Sequence, residues 1–469
     1  MGPLLANLSP ACATPSPRTV ITIVGGGFAG TALAVHLAQQ PGLRARAEVH
    51  LVEPRAVPGP GLAYAPGSHP HLLNVRPGVL SLYPAEPAHF AKWLAQQPEA
   101  ASGVPEFAPR ALYGRYLAQA LATAEGIQVH ADVAVAAPLQ PHGRRTVQLA
   151  SGAAIESDYV VLALGNFPPP PPVEPSGAYL THPHYHANPW GPHALAGIAP
   201  AASVLLVGAG LTAVDVLMAL HGQGHRGPVV AVARHGRWPA AHAPVAAPYP
   251  SYYTELAGCP TVGGVVAVFK RHLRRATAQG QDWRPVLDAL RPDLGRIWAA
   301  WPLVEQARFL RHVAALWGVA RHRSPPHNAA TVAALTAQGQ VQLVAGRVQA
   351  IAPSGPGLRV AVQRRGAATC AYQADHVVCC TGPLLDYQRI AAPLVQQLRA
   401  AGHLTPDPLG LGIVTDVHGA LLATDGHPVP GLFTLGPSRR PNAFESTAVP
   451  ELRQQAVALA AELAARLKG

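Results

Sequence analysis

Apolar residues in this chain gather in short runs that alternate with helical patterns. The run Val20–Val24 leads through a glycine-rich turn into the helical pattern TALAVHLAQQ, and a second apolar run follows at Ala47–Pro54. Strand, glycine turn, helix and strand within about thirty-five residues predict a βαβ unit. The same order recurs in SVLLVGAGLTAVDVLMAL at Ser203–Leu220, with a next strand at Gly227–Pro239. The pattern therefore predicts two such units in one chain.

The segment Ser203–Leu220 is apolar enough to be a candidate membrane span. Asp215 would lie near the middle of that span, at a cost of about 2.5–3.5 kcal/mol, and Gly208 and Gly210 interrupt the run. A strand that is covered on both faces of a parallel sheet is equally apolar. We therefore predict a strand and a helix here, and no membrane partner.

Charge and cysteine content narrow the class of protein. The 469 residues include 35 Lys and Arg against 24 Asp and Glu, but no basic run interleaved with aromatic residues, so we predict no nucleic-acid partner. Five cysteines are an odd number, which argues against a disulfide framework and favours a reducing, cytoplasmic location. The first 17 residues have neither a basic start nor a continuous apolar core, so they are not expected to be a signal peptide.

The first glycine turn has the spacing G-x-G-x-x-G at Gly25, Gly27 and Gly30. In dinucleotide-binding domains the first glycine permits the tight turn, the second lets a pyrophosphate approach the backbone, and the third lets the helix pack against the strand. Glu53 ends the next strand. A carboxylate at that place accepts hydrogen bonds from the ribose hydroxyls of an adenosine without a 2′-phosphate. This turn is therefore predicted to bind FAD or NAD.

The second glycine turn has the spacing G-x-G-x-x-A at Gly208, Gly210 and Ala213. The strand that follows it ends in Arg234, with Arg237 close behind. A cation in place of the carboxylate favours a 2′-phosphate, and hence NADPH over NADH. The alternative is that Arg234 is a solvated side chain in an arginine-rich chain.

Two further groups of residues suggest chemistry that we do not favour. Cys379 and Cys380 are adjacent on a predicted strand, where their side chains point to opposite faces, so buried thiols explain them better than a disulfide reductase pair. His182, His184 and His186 lie in a Pro-rich stretch without further ligands, so we predict no metal site.

The order of an FAD-type turn, an NADPH-type turn and a return to the first domain resembles the two-dinucleotide-binding flavoproteins. VLLVGAGLTAVDV is similar to the NADPH turn of flavin-containing monooxygenases, which are related to the N-hydroxylating monooxygenases. The stretches GLAYA, LLNVRPG, PRALYGRYL, ALGNFPPP, GHRGPVVAVARHGRWPAAH, FLRHVAALWGVARHR and ESTAVPELRQQA resemble the YdhS-like FAD/NAD(P)-binding proteins, from Arg18 to Leu467. The resemblance implies FAD as first ligand, NADPH or NADH as second, and an oxidoreductase activity on an unspecified substrate.

The sequence departs from these families in two places. Gly436 and Pro437 stand where many flavoproteins of this class have Gly-Asp beside the ribityl chain of FAD. The monooxygenase linker signature Phe-x-Gly-x-x-x-His-x-x-x-Trp is not present in full. Only its His-x-x-x-Trp part is matched, by His186 and Trp190. Monooxygenation is therefore inferred by analogy.

The resemblance also places residues around the flavin ring. In this fold class the last helix points its positive end at the flavin, which favours negative charge there. Glu445, Ser446 and Thr447 would lie near the ring, with Asn74 and Arg76 on its other side.

We predict an α/β fold of two Rossmann-like dinucleotide-binding domains, with the NAD(P)H domain inserted in the FAD domain and carrying a helical insertion. The expected divisions are a disordered tail at 1–17, the first part of the FAD-binding domain at 18–166, a Pro-rich linker at 167–200, an NAD(P)H-binding domain at 201–335 with a helical insertion at about 245–326, and the second part of the FAD-binding domain with a C-terminal helix at 336–469.

The candidate cofactor contacts lie on the two turns, at strand ends and before the last helix. They are Gly25, Gly27, Phe28, Ala29, Gly30, Glu53, Pro54, Asn74, Gly165, Gly208, Gly210, Leu211, Thr212, Ala213, Arg234, Arg237, Gly382, Gly436, Pro437, Glu445, Ser446 and Thr447. No side chain is assigned as catalytic, because the cofactor carries the chemistry in such enzymes.

Three functions are consistent with these features. The leading hypothesis is an FAD-dependent, NADPH-oxidising monooxygenase that uses dioxygen to hydroxylate a nitrogen or sulfur centre of a small molecule. The second is a reductase or dehydrogenase that passes electrons from NAD(P)H to an organic or protein acceptor without oxygenation. The third is a non-catalytic, nucleotide-responsive protein that binds FAD. The sequence does not specify an oligomeric state.

Arg234→Ser tests the cofactor assignment. Because a charge-assisted contact to a phosphate is lost, we expect the affinity for NADPH to fall about tenfold or more while that for NADH changes little. Titration of the protein with each nucleotide measures both. Equal effects on the two nucleotides would contradict the assignment.

Overall fold

The structure is a computed structural model that describes residues 18–65, 70–173, 177–191, 193–244 and 247–467. The tail predicted at 1–17 lies outside these ranges. Two large sheets and a three-stranded antiparallel sheet organise the described chain. The predicted α/β fold is confirmed.

The first third of the chain builds most of the first large sheet. Its elements are β1 (Thr19–Val24), α1 (Phe28–Ala38), α2 (Leu43–Arg46), β2 (Ala47–Val52), α3 (Gly61–Tyr64), α4 (His89–Ala95), α5 (Arg110–Ala122), β3 (Ile127–His130), β4 (Ala134–Ala136), β5 (Arg145–Leu149), β6 (Ala154–Ser157) and β7 (Tyr159–Leu162).

The middle of the chain builds the second large sheet and a group of helices. Its elements are β8 (Tyr185–His186), β9 (Val204–Val207), α6 (Leu211–Gly222), β10 (Val229–Ala233), α7 (Tyr253–Leu256), α8 (Val262–Ala278), α9 (Trp283–Asp288), α10 (Leu294–Ala300), α11 (Leu303–His312), α12 (Ala314–Arg321), α13 (Pro326–Ala337), β11 (Val341–Ser354), β12 (Gly357–Arg364), β13 (Thr369–Ala374) and β14 (His376–Cys379).

The last part of the chain returns to the first sheet. Its elements are α14 (Pro393–Ala400), β15 (Ala420–Leu422), β16 (Pro428–Thr434) and α15 (Val449–Arg466).

The first sheet has the strand order β15-β16-β7-β1-β2-β3. Its central strand β1 pairs in parallel with β2 on one side and β7 on the other. Strands covered on both faces are apolar throughout, and Ile21 and Ile23 of β1 are fully buried. Helix α1 packs against α15, so the end of the chain closes the core begun by its first helix.

The second sheet has the strand order β13-β12-β11-β10-β9-β14-β8. Strand β9 pairs in parallel with β10 and β14, as β1 pairs with β2 and β7. All of its strands lie between β7 and β16 in the chain, so the second sheet is inserted in the first.

The strand pairing corrects one predicted division. We expected the first domain to resume at residue 336, but the strands from Val341 to Cys379 belong to the second sheet. Strand β11 continues that sheet by pairing in parallel with β10, and β12 and β13 extend it as an antiparallel meander. The chain returns to the first sheet only after Cys379. The residue pattern of a strand does not show which sheet the strand joins, because pairing with distant segments decides it.

The helices α7 to α12 form the insertion between β10 and β11. Their aromatic core includes Trp298, Trp301 and Phe309. Phe444, from the segment before α15, packs on Trp298 with ring centroids 4.8 Å apart. The insertion is therefore anchored on the first domain as well as on the second.

The candidate span at Ser203–Leu220 divides into β9 and α6. Across the described ranges, no helix combines the length and the apolar character that crossing a bilayer requires.

Candidate functional site

The first glycine turn is fixed by close backbone contacts. Gly25 has φ +108°, and a Cβ there would lie 2.3 Å from the carbonyl oxygen of Ala163. Its amide donates to the carbonyl of Val52 at 2.8 Å. A Cβ on Gly30 would lie 1.8 Å from the carbonyl oxygen of Gly25. Gly25 and Gly30 therefore set the turn and the close packing of α1, as the motif predicts.

Glu53 joins the end of β2 to this turn. Its side chain is buried, its Oε2 accepts from the amide of Gly26 at 2.8 Å, and its Oε1 accepts from the amide and the Nη1 of Arg55, each at 3.0 Å. The carboxylate is thus held beside the glycine turn, where a ribose would meet it.

A first cavity of about 340 Å³ opens at this turn. Ten of the predicted contacts line it, namely Gly25, Gly27, Phe28, Ala29, Glu53, Gly165, Thr212, Gly382, Pro437 and Thr447. The cavity therefore runs from the glycine turn to the residues before α15 and to the second domain.

Sequence reasoning missed one wall of the first cavity, the segment Pro60–Tyr64. The amide of Gly59 donates to the carbonyl of Gly26 at 2.7 Å, and a Cβ on Gly61 would lie 2.8 Å from the Cα of Gly27. Burial raises the pKa of Tyr64 to about 12, so its hydroxyl stays protonated at neutral pH. The stretch GLAYA was noted for its resemblance to a family, but its spacing along the chain does not predict contact with the glycine turn.

Seven predicted contacts, Ala213 of the second turn among them, lie outside the walls of both cavities. Pro54 is exposed, Gly30 packs inside the turn, and the carbonyl of Asn74 accepts from His242 Nε2 at 2.9 Å. The other three are Gly436, Glu445 and Ser446.

The segment before α15 is held by its own hydrogen bonds. Ser446 is fully buried and its Oγ donates to the carbonyl of Gly436, whose amide donates to Gln455 Oε1 at 2.9 Å. Glu445 accepts from Trp317 Nε1 at 3.0 Å and lies 3.4 Å from an Nη2 of Arg321. Gly436 and Ser446 therefore shape the backbone beside the cavity, and Glu445 ties it to the helical insertion.

The second glycine turn repeats the geometry of the first. Gly208 has φ +117°, a Cβ there would lie 2.5 Å from the carbonyl oxygen of Cys380, and its amide donates to the carbonyl of Val232 at 2.8 Å. Gly210 precedes α6 with no atom within 4 Å of where its Cβ would be. Ala213 is fully buried in the packing of α6 rather than on a cavity wall.

A second cavity, of about 750 Å³, opens at this turn. The predicted residues that line it are Gly208, Gly210, Leu211, Thr212, Arg234, Arg237 and Gly382. Helix α12 contributes Gly318 and Val319, and His322 follows it directly, so the helical insertion covers one side.

Three exposed arginines line the second cavity, and one of them was missed. Arg234 and Arg237 follow β10, and Arg347 projects from β11, whose Ala345 pairs with Ala233. Within the described ranges none of the three is in an ion pair. Their charges are therefore available to an anion. Only strand register shows that Arg347 lies beside Arg234.

The two cavities meet. Thr212, in the first turn of α6, and Gly382, which follows β14, line both of them. A molecule in one cavity can therefore approach a molecule in the other at these two residues.

Comparisons with known proteins agree with this arrangement. Residues 22–167 match the model of a family described as FAD-NAD(P)-binding. They contain the first glycine turn, Glu53 and Gly165, so this part of the chain is a FAD-NAD(P)-binding domain. No curated protein matches the chain in sequence.

Solved structures of similar fold include an ornithine N-hydroxylase from Kutzneria sp. 744, at 15% identity and TM-score 0.64, with 96% of this chain and 100% of that chain covered. An L-lysine 6-monooxygenase from Pseudomonas syringae matches at 17% identity and TM-score 0.66, with the same coverage. The bacillithiol disulfide reductase of Staphylococcus aureus matches at 10% identity and TM-score 0.57, with 96% of this chain and 99% of that chain covered. These likenesses confirm the predicted α/β fold.

Gly25→Ala tests the constraint at the first turn. Positive φ alone costs a non-glycine residue about 1–3 kcal/mol, and here the new Cβ also meets the carbonyl of Ala163. We expect a larger loss of unfolding free energy than in Gly143→Ala, where φ is +85° but no atom lies within 4 Å. Denaturant unfolding of both variants measures the difference, and equal losses would contradict the contact.

Arg347→Ser tests the arginine that strand register adds to the second cavity. We expect it to weaken binding of NADPH about tenfold, because a charged contact is removed. Arg359→Ser, at an exposed position on β12 outside the cavity wall, is the matched control. If both variants bind NADPH like the unaltered protein, Arg347 does not face the nucleotide.

Proposed function

We propose that the protein is an FAD-dependent oxidoreductase that oxidises NADPH, and that it acts as a monooxygenase on a nitrogen or sulfur centre of a small molecule. The observation that carries the proposal is the meeting of the two cavities at Thr212 and Gly382. Transfer of a hydride needs the two reacting rings in contact, and a shared wall is where such contact can occur.

The first cavity fits FAD. Gly25 and Gly27 leave the backbone bare where a pyrophosphate would approach. Glu53, at the end of β2, offers a buried carboxylate to a ribose, and a 2′-phosphate would meet its negative charge. Bound there, FAD would supply the hydride acceptor and the reaction with dioxygen.

The flavin end of this cavity fits a ring that becomes negatively charged. Thr447 lines it and lies two residues before α15, whose N-terminus carries a partial positive charge. Tyr64 and Trp190 add aromatic walls that exclude water. These residues would bind and orient the ring.

The second cavity fits NADPH. The turn at Gly208 and Gly210 opens α6, and Arg234, Arg237 and Arg347 supply cations for a 2′-phosphate. NADH lacks the 2′-phosphate that these cations would bind, so the arginines support preference for NADPH.

The comparisons support a nitrogen centre as the substrate. Two of the similar structures are an ornithine N-hydroxylase and an L-lysine 6-monooxygenase. The similar bacillithiol disulfide reductase supports the alternative, electron transfer to an acceptor without oxygenation.

Anaerobic mixing with NADPH tests the proposal. We expect purified protein to carry FAD and its visible absorbance to bleach with NADPH faster than with equal NADH. Air is then admitted in the presence of L-ornithine, L-lysine or a small thioether. An N-hydroxylated amine or a sulfoxide supports monooxygenation, and peroxide without product from all three, with turnover of a disulfide acceptor, favours the reductase. Protein that holds no FAD, or FAD that NADPH does not bleach, would contradict the proposal.

A further inference from the structure

A buried ion pair joins the two domains. Asp215 lies on α6 with 4% of its side chain exposed, and Arg110, the first residue of α5, has 14% exposed. The Nη2 of Arg110 donates to Asp215 Oδ2 at 2.8 Å. Helix α5 packs in the core of the first domain and α6 in the core of the second.

The guanidinium of Arg110 has further partners that fix its position. Its Nε donates to the carbonyl of Leu72 at 3.0 Å, and it lies 5.5 Å from the centroid of the Trp190 ring. His71 Nδ1 lies 3.8 Å from the other carboxylate oxygen of Asp215, and its ring is edge-on to Trp190. Segments from both domains and from the linker therefore meet at one guanidinium.

The pair lies beside the place where the cavities meet. Arg110 itself lines the first cavity, and Thr212 lines both. Asp215 is three residues after Thr212 on α6, about 4.5 Å along the helix axis. A shift of α6 against α5 would therefore move the shared wall.

Stability alone does not explain a charge pair at this depth. Desolvation of a buried ion pair offsets much of its attraction, and apolar residues of the same size are often as stable. A rigid guanidinium that donates one N–H to a carboxylate and another to a backbone carbonyl does, however, fix an orientation that apolar packing leaves loose.

We propose that Arg110 and Asp215 are positioning residues that hold α6, and with it the nicotinamide end of the second cavity, in register with the flavin end of the first. This rests on the proposed function, since it gives the pair a role in hydride transfer between the two nucleotides. In this role the pair acts through Thr212 and the backbone of α6.

Asp215→Asn and Arg110→Gln, singly and together, test the proposal. Arg115→Gln is the control, because Arg115 lies on the same helix but pairs with exposed Glu99 at 2.9 Å. Four quantities are measured: FAD content, the dissociation constant of NADP⁺, amide hydrogen exchange of the protein without nucleotide at 211–218, and the limiting rate of anaerobic flavin reduction by NADPH.

We expect Asp215→Asn to keep its FAD and to bind NADP⁺ within about threefold of the unaltered protein. The limiting rate per bound flavin should fall about tenfold or more, because small displacements of reacting groups cost that much. Exchange at 211–218 should quicken, the double variant should be no slower than the slower single one, and Arg115→Gln should change none of these.

Three outcomes would overturn the proposal. In the first, the limiting rate per bound flavin stays within about twofold, whether or not the FAD content falls, which excludes a positioning role. In the second, the two single effects simply add in the double variant.

If Asp215→Asn does not fold, Arg110→Lys replaces it, because lysine keeps the charge but loses the planar set of donors. An unchanged limiting rate in Arg110→Lys is the third outcome that overturns the proposal. If NADPH fails to reduce the flavin of the unaltered protein, the proposed function fails first and this inference falls with it.

Discussion

The two sites depend on one repeated contact between a glycine and a carbonyl. In each domain the first glycine of the turn lies where a Cβ would collide with the carbonyl that follows the neighbouring parallel strand: Ala163 after β7 for Gly25, and Cys380 after β14 for Gly208. Both glycines have positive φ, and both amides donate to the end of the strand on the other side, at Val52 and Val232. The turn is thus clamped between two strand ends, and the cavity opens above it. Any side chain at either glycine would push these strand ends apart.

What distinguishes the two sites is the charge at the next strand end. Glu53 is buried and already bonded to Gly26 and Arg55, so the first site has a fixed acceptor. Arg234 and Arg347 are exposed and without an ion pair among the described residues, so the second site has free cations. One framework therefore presents opposite charges in the two cavities. The buried pair of Arg110 and Asp215 lies where the two copies of the framework meet.

The parts of this arrangement that follow from local rules were predictable. The turn glycines, Glu53 and Arg234 could be assigned because spacing along the chain fixes their place in a βαβ unit. Arg347, Arg110 and the segment Pro60–Tyr64 could not, because strand register or the meeting of distant segments brings them to the cavities. Glu445 was expected beside the flavin, and this stays a prediction. Its contacts with Trp317 and Arg321 of the helical insertion could not be predicted, because these residues are distant along the chain. The strands from Val341 to Cys379 were assigned to the first domain because the pattern along a strand does not specify its sheet.

The most direct test of two cavities that meet is a crystal structure of the protein with FAD and NADP⁺ bound together. We predict that the adenosine ribose of FAD contacts Glu53 and that the 2′-phosphate of NADP⁺ contacts Arg234 and Arg347. The nicotinamide and flavin rings should face each other between Thr212 and Gly382. NADP⁺ bound with its nicotinamide away from Thr212, or bound in the first cavity in place of FAD, would contradict the account.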